Sequence, residues 1–242
     1  MGDDGLRRCP WALTHPLNQY YHDTEWGLAV HGESPLFERV SLEAFQAGLS
    51  WLTILTKRPA FRTAFAGFDA ERVAAYSDSV LDKLMLDHSI VRNRAKIQAA
   101  RTNARAVLAL RGGKGLDAFL WSHGPDHTGA PRVVSDIPTT TPASRALAAG
   151  LRENGFRFIG PISAHALMEA VGMVDSHLVG CHRRGSSGLF HLSTGLRRQR
   201  WGPPEPPPNG GDLLELGGRD SNSQPNGGRA VLAILASLPL AS

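Results

Sequence analysis

The strongest constraint on the fold is the spacing of apolar residues over the first 184 positions. They recur every three to four residues, in stretches that short polar or glycine-containing turns separate. Residues 34–44, 80–85 and 97–108 show this pattern most clearly. The alternation with a period of two that marks β-strands is nearly absent. The sequence therefore predicts an all-α fold.

Capping residues place several helix ends. Asp69, and either Ser77 or Asp78, can accept hydrogen bonds from the free N–H groups of a first helical turn. Thr141 followed by Pro142 has the same character, because proline suits the first helical position. We expect helices to begin at each of these sites.

The character of the sequence changes at about residue 185. Residues 201–208 read W-G-P-P-E-P-P-P, and segments rich in glycine, asparagine and serine follow. Such a composition cannot bury a hydrophobic core. We therefore expect one domain over residues 1–184 and a disordered tail over residues 185–242, with little effect on stability when the tail is removed.

Charge and hydropathy narrow the range of partners. The formal net charge of +4 is compatible with nucleic acid but is weak evidence for it. No stretch approaches the roughly 20 apolar residues of a membrane span, and the acidic N-terminus is unlike a secretory signal. We expect a cytoplasmic, monomeric protein with no membrane partner.

The two cysteines of the chain each lie near a histidine. Cys9 precedes His22 by thirteen residues, and His177 precedes Cys181 by four. Two thiolates and two imidazoles make a closed tetrahedral zinc site of the structural type. Spacing alone leaves two alternatives open, a zinc site or two buried cysteines with two unrelated histidines.

Four segments lie in the order found in one enzyme family. Together they resemble the DNA-3-methyladenine glycosylase I family, and they extend over most of residues 9–181. The segments are C-P-W at 9–11, Y-H-D-T-E-W-G at 21–27, L-E-A-F-Q-A-G-L-S-W at 42–51, and I-P-T-T-T-P-A-S at 137–144, which continues into G-F-R-F-I-G at 155–160 and H-L-V-G-C at 177–181.

This resemblance implies a helix-hairpin-helix DNA glycosylase fold that a structural zinc ion joins at its two ends. The implied ligands are Cys9, His22, His177 and Cys181. The implied activity is monofunctional hydrolysis of the N-glycosidic bond of 3-methyladenine in double-stranded DNA, which releases the free base and leaves an abasic site.

The resemblance also implies contacts with DNA. Ile159 and Gly160 fall in the hairpin, where backbone N–H groups at a helix start hold a phosphate. The hairpin of the wider superfamily has a glycine where this chain has Phe158. The basic segment that contains Arg92, Arg94 and Lys96 is expected to meet phosphate, although such a segment is also typical of a solvated helix face.

The base pocket is implied by the second and third segments. Leu49, beside Gly48, resembles an apolar wedge that fills the gap left in the duplex. Trp51 is expected to stack on the extruded base, whose positive charge favours an electron-rich ring. The implied wall of the pocket consists of Tyr21, Trp11 and Trp26.

Glu43 is the expected catalytic and base-reading residue. A carboxylate among Leu42, Ala44 and Phe45 is costly to bury without a partner, and the amino group of adenine supplies one. Asp175 resembles the catalytic aspartate of the superfamily, but it lies close to a predicted zinc ligand, which favours a supporting role there. Two alternatives stay open, namely a DNA-binding module without catalysis and a broader-range glycosylase that uses Asp175.

Overall fold

The computed structural model describes residue 2 and residues 4–198. Within these residues the chain forms nine α-helices and no β-strand, which confirms the all-α prediction. No helix in this part is long and apolar enough to cross a membrane. The helices are α1 (Pro16–Thr24), α2 (Glu33–Gln46), α3 (Trp51–Ala64), α4 (Ala70–Ala74), α5 (Asp78–Leu86), α6 (Arg94–Leu110), α7 (Gly115–Trp121), α8 (Pro142–Glu153) and α9 (Pro161–Ala170).

Helix α2 is the central element of the hydrophobic core. It packs against α3, α6, α7 and α9, and every residue from Leu36 to Phe45 is buried. Its apolar side chains therefore meet neighbours on all sides rather than along one stripe. A polar residue in this stretch, such as Glu43, is consequently held inside the protein.

The predicted caps are confirmed. The Asp69 side chain accepts a hydrogen bond from the N–H of Arg72 and begins α4. Ser77, rather than Asp78, is the cap of α5. Thr141 caps α8 with Pro142 in its first turn. Each cap satisfies a backbone donor that the first turn of a helix leaves free, which fixes where the helix begins.

A network of ion pairs joins the end of α1 to α2 and α3. Arg58 on α3 donates to Glu38 at 2.7 Å and to Glu25 at 2.7 and 2.9 Å. Arg39 on α2 also donates to Glu25, at 2.6 Å, and Arg62 donates to Glu38 at 2.8 Å. Arg58 and Glu38 are both nearly buried, so these charge-assisted bonds link α3 to α2 and to the end of α1 away from solvent.

Residues 185–198, which the sequence assigned to the tail, fold onto the helical domain. Isolated bridges pair His127 with Leu196 and Phe190 with Arg197. Phe190 is 2% exposed. Burial of an aromatic ring removes a large apolar area from water, which favours the packing of this segment on the domain. The packed part of the chain thus continues past residue 184. The rest of the predicted tail, residues 199–242, lies outside the described residues.

We expect a chain that ends at Arg184 to be less stable than one that ends at Arg198. The shorter chain loses the buried Phe190 ring and the hydrogen bond from the Gly185 N–H to Asp175. The difference in the free energy of unfolding should be about 2–4 kcal/mol, measured by urea denaturation of both chains. Equal midpoints would show that residues 185–198 contribute nothing to the domain.

Candidate active site and metal cluster

A cavity of about 480 Å³ opens between α1, α2, α3 and α9. The five predicted pocket residues all line it: Trp11, Tyr21, Trp26, Glu43 and Trp51. They come from three separate parts of the sequence, and the packing of α1 and α3 against each other and against the core brings them together. The cavity also contains polar side chains that the sequence analysis did not single out, namely Asn18, Gln46, Ser50 and Glu169.

Aromatic rings form much of the cavity wall. The ring centroids of Tyr21 and Trp51 are 5.4 Å apart, and those of Trp11 and Trp26 are 5.1 Å apart in an edge-to-face arrangement. The ring centroids of Trp11 and Tyr21 are 6.3 Å apart. Such pairs hold one another in fixed orientations, so the cavity presents flat apolar faces to an aromatic ligand.

Glu43 brings a carboxyl group into this apolar wall. The residue is 4% exposed, and its Oε2 atom has no hydrogen-bond partner among the described residues. Burial raises the pKa of Glu43 to about 8, and the negative charge of Glu169 adds to the effect, while Arg39 opposes it. A buried carboxyl group without a partner favours a ligand that supplies a hydrogen-bond donor and a positive charge.

Three further polar atoms of the wall lack partners in the part of the chain that the structure describes. They are the side-chain oxygen of Asn18, the hydroxyl oxygen of Tyr21 and the indole Nε1 of Trp51. Buried polar groups are normally hydrogen-bonded, so an orphaned set that shares one cavity indicates a ligand that satisfies them. Together with Glu43 they offer donors and acceptors around an aromatic slot.

Glu169 is the second carboxylate of the cavity, and sequence reasoning missed it. It lies near the end of α9, and burial raises its pKa to about 7. The signal that identified Glu43, a carboxylate within an apolar helical run, is also present in the segment A-L-M-E-A-V at 166–171. None of the family-like segments covers those residues, and the sequence does not show that α9 faces α2.

Leu49 lies at the turn between α2 and α3, beside the cavity. The side chain is 40% exposed, and its neighbours Ser50 and Trp51 line the cavity. Gly48 has a φ of +81°, a backbone conformation that glycine adopts without strain. The turn therefore holds an apolar side chain out from the surface next to the site.

Lys96 has a different position from the one expected of a phosphate contact. It is 7% exposed, and its ammonium donates to the carbonyl oxygens of Phe45 at 2.8 Å and Ala47 at 2.5 Å. A cation at the C-terminal end of a helix satisfies carbonyls that the last turn leaves free. Lys96 thus secures the end of α2, directly before the turn that carries Leu49.

The two arginines of the same segment are exposed. Arg94 forms an ion pair with Asp82, and Arg92 contacts the ring of His88 at 3.4 Å. Exposed ion pairs of this kind contribute little to stability. Both guanidinium groups lie on the solvent-facing surface, where they contribute little to the stability of the fold.

The hairpin before α9 keeps a left-handed turn without its glycine. Phe158 has a φ of +62°, a conformation that costs free energy for a residue with a side chain. Asn103 on α6 holds the preceding residue, Arg157, with two hydrogen bonds. Its Nδ2 donates to the Arg157 carbonyl oxygen at 3.1 Å, and its Oδ1 accepts from the Arg157 N–H at 2.7 Å. Ile159 is 9% exposed, and Gly160 caps α9.

The side chains of Cys9, His22 and Cys181 form a group that can hold a metal ion. One ligand atom from each lies within 4.8 Å of the others, and the His22 Nε2 is 3.4 Å from the Cys181 sulfur. His177 lies against this group, with its ring centroid 5.2 Å from that of His22. Its Nε2 is buried and has no hydrogen-bond partner within residues 4–198.

Carboxylates orient both histidines of the cluster. The Nδ1 of His22 is 2.7 Å from Asp23 Oδ1, and the Nδ1 of His177 is 2.9 Å from Asp175 Oδ1. Such contacts fix the tautomer of a histidine so that its Nε2 is free to bind a metal. Gly27, with a φ of +78°, gives His177 room, because a Cβ there would lie 2.5 Å from the imidazole.

Asp175 is occupied by these supporting contacts. One oxygen accepts from the backbone and contacts the ring of His177, and the other accepts from the Gly185 N–H at 2.8 Å. Asp175 lines a second cavity, of about 540 Å³, which also includes His165 and Ser176. It is absent from the lining of the cavity that contains Glu43.

The aromatic wall of the base cavity also contacts the cysteine–histidine group. Trp26 lies 4.5 Å from His177 and 6.0 Å from His22, measured between ring centroids. Trp11 lies 5.4 Å from His22. The two sites therefore share a layer of aromatic rings.

Comparison with known proteins relates this geometry to an enzyme family. The DNA-3-methyladenine glycosylase 1 of Escherichia coli is 43% identical over 180 residues, which cover 73% of this chain and 96% of that protein. The DNA-3-methyladenine glycosylase of Haemophilus influenzae is 40% identical over 178 residues, covering 72% of this chain and 96% of that protein.

Solved structures of the same kind share the fold. A crystal structure of 3-methyladenine DNA glycosylase I has a TM-score of 0.70 at 41% identity and covers 74% of this chain and 100% of its own. The Staphylococcus aureus enzyme, solved for its recognition of 3-methyladenine, has a TM-score of 0.70 at 33% identity, with coverage of 73% and 96%. The model of the methyladenine glycosylase family matches residues 11–184. The chain belongs to the methyladenine glycosylase family.

Proposed function

We propose that this chain is a monofunctional DNA glycosylase that hydrolyses the N-glycosidic bond of 3-methyladenine in double-stranded DNA. The observation that carries the proposal is the aromatic cavity whose buried Glu43 oxygen has no partner among the described residues. The relatives named for 3-methyladenine share up to 43% identity with the chain. The reaction releases the free base and leaves an abasic site.

The cavity recognises the base by shape, stacking and charge. The extruded base stacks on Trp51, and Tyr21 packs against the same ring at 5.4 Å. Glu43 accepts a hydrogen bond from the exocyclic amino group of the base. Methylation at N3 makes the base of the intact nucleotide cationic, and a cation over an aromatic face gains about 0.5–2 kcal/mol. The same charge favours the ionised form of Glu43.

The chemistry needs little acid catalysis, because the leaving group is already activated. The bond between C1′ of the sugar and N9 breaks, and its electron pair neutralises the positive charge of the methylated base. Water adds to C1′ and loses a proton to solvent, which completes the abasic sugar. The pocket residues hold the base out of the stack, where this bond is exposed.

DNA contacts surround the mouth of the cavity. Leu49 fills the gap that the extruded base leaves, with Gly48 permitting the close approach. The hairpin at Ile159 and Gly160 presents the first N–H groups of α9 to a phosphate, as in a helix-hairpin-helix motif. Arg92 and Arg94 add positive charge to the same binding surface, and Lys96 supports it from inside through the end of α2.

Replacing Leu49 by alanine is expected to lower kcat/KM for excision about tenfold, since filling the gap offsets a base-extrusion cost of a few kcal/mol. The stability of the folded protein should change by less than about 1 kcal/mol, because the side chain is 40% exposed. Steady-state excision and thermal unfolding measure the two effects. Leu86, the exposed last residue of α5 and not part of the cavity lining, offers a Leu86→Ala control. Equal losses of kcat/KM in Leu49→Ala and Leu86→Ala would show that Leu49 has no specific role in excision.

The same proposal includes one structural zinc ion held by Cys9, His22, His177 and Cys181. The support is the close approach of three of the ligand atoms, the orphaned Nε2 of His177 and the carboxylate behind each histidine. Two thiolates and two imidazoles leave no position for water, so the ion stabilises the fold and takes no part in the reaction. The site joins the N-terminal segment around Cys9 and His22 to the segment 177–181 that follows α9.

Release of free base from methylated duplex DNA tests the function. The purified chain should release 3-methyladenine and leave the strand uncut until alkali or heat is applied. Binding without release would favour a DNA-binding module. A loss of activity confined to Asp175→Asn, with metal content unchanged, would favour the broader glycosylase that uses Asp175. The contacts of Asp175 with His177 and Gly185 argue against that second alternative.

A further inference from the structure

We infer that Glu169 is a second anionic contact of the base pocket and selects for a cationic base together with Glu43. The inference rests on the proposed function and adds a specificity-determining residue to it. The two carboxyl groups line the same cavity from different helices, α9 and α2. A base bound between these helices therefore meets negative charge on two sides.

The cavity points to a ligand independently of its acidic residues. Tyr21 is 2% exposed, and its hydroxyl has no partner among the residues that the structure describes. The indole nitrogen of Trp51 is in the same situation. These groups, with Glu43 Oε2, surround a space that a planar, polar-edged molecule can fill. Glu169 belongs to the wall of that space.

Among the described residues one cation, Arg39, opposes the raised pKa of Glu43. Glu43 faces Glu169, Tyr21 and Arg39, and Arg39 already donates to Glu25 at 2.6 Å. Glu169 faces Ser176, which hydrogen-bonds to it, and His165 at 3.6 Å. Burial lowers the pKa of His165, so that its ring is neutral near pH 7. The Arg39 guanidinium, which Glu25 shares, does not offset the burial of the two carboxyl groups, so the pKa of each stays raised.

The two groups cannot both ionise freely in the empty pocket. Burial and mutual repulsion raise the pKa of Glu43 to about 8, and burial raises that of Glu169 to about 7. A cationic base lowers the cost of ionising both, so its binding releases a proton to solvent. A neutral base of the same shape gives no such gain, and undamaged adenine is neutral. The pair therefore discriminates by charge as well as by shape.

Glu169→Gln is the variant that tests the inference. The amide keeps the size of the side chain and can still accept from Ser176, but it removes the charge. Since Glu169 is protonated below its pKa, kcat/KM of the wild type and of the variant should agree within about twofold near pH 6. Near pH 8.5 the wild type should be about tenfold faster on 3-methyladenine in duplex DNA.

A binding measurement separates charge from structure. A duplex that carries 3-deaza-3-methyladenine, an isostere that is neutral at pH 8.5, should bind the wild type and Glu169→Gln within about twofold at that pH. The control is Glu153→Gln, the same change at the exposed end of α8, which should behave as wild type throughout. These outcomes support the inference.

Two results would overturn it. One is a wild type to Glu169→Gln ratio that stays constant between pH 6 and pH 8.5, and the other is an equal loss of affinity for the neutral isostere. Both presuppose a wild type that releases 3-methyladenine. A wild type without that activity contradicts the proposed function itself, so the two failures are distinguishable.

Discussion

Glu43→Gln is expected to lower excision of 3-methyladenine by about ten- to a hundredfold. The amide replaces one acceptor oxygen with a donor and removes the charge that favours a cationic base. A charge-assisted hydrogen bond contributes roughly 1.5–3 kcal/mol, and each 1.4 kcal/mol is about tenfold. The variant should fold, because Glu43 Oε2 has no hydrogen-bond partner to lose within the described part of the chain. Single-turnover release of the base measures the effect.

Asp175→Asn is the informative comparison for Glu43→Gln. Its carboxylate contacts His177 and Gly185 rather than the base cavity, so we expect a loss of stability and metal affinity with much less effect on the chemical step. If Asp175→Asn abolished excision with its metal retained while Glu43→Gln stayed active, the roles of the two carboxylates would have to be exchanged.

Cys181→Ala is expected to remove the metal and to lower the stability of the whole domain. A structural zinc ion couples its binding free energy to folding, and we expect a loss of at least about 3 kcal/mol. For a domain of this size that corresponds to a melting temperature lower by roughly 6–12 °C. Metal analysis of the purified protein and thermal unfolding with and without a chelator measure both quantities.

His182→Ala is the matched control for the metal prediction. His182 lies beside the cluster, with its ring 5.8 Å from that of His22, but it contacts Arg7 and Asp23. The variant should keep one equivalent of zinc. A chelator should destabilise the wild type and leave Cys181→Ala unchanged. Wild-type protein that contains no zinc, or Cys181→Ala that binds it as tightly, would show the zinc proposal to be wrong.

The helices that the sequence predicted are those whose signals are local. Asp69, Ser77 and Thr141 mark helix starts through hydrogen bonds to their own first turns, which neighbouring residues alone determine. Helices α1 and α3 escaped prediction for physical reasons. The first combines buried and polar residues without a clear apolar stripe, and the second contains Pro59 in its interior, where proline normally ends a helix.

The pocket was predictable as far as family-like segments reached. Tyr21, Glu43 and Trp51 lie in such segments, and the structure brings them to one cavity. Lys96 shows where a local pattern misleads. In the sequence it belongs to a basic run, but its partners are carbonyls about fifty residues earlier in the chain. A tertiary contact of that kind leaves no trace in the residues around the lysine.

The position of the cysteine–histidine group has a consequence for how the enzyme is made. Its first member is residue 9 and its last is residue 181, and Trp11 and Trp26 of the base pocket pack directly on it. During synthesis the segment that contains Cys9 and His22 leaves the ribosome long before His177 and Cys181 are made. The core around α2 can begin to collapse first, but the pocket is completed only when the final turns of the domain arrive. Translation products that stop before Cys181 therefore lack one side of the cysteine–histidine group on which Trp11 and Trp26 pack.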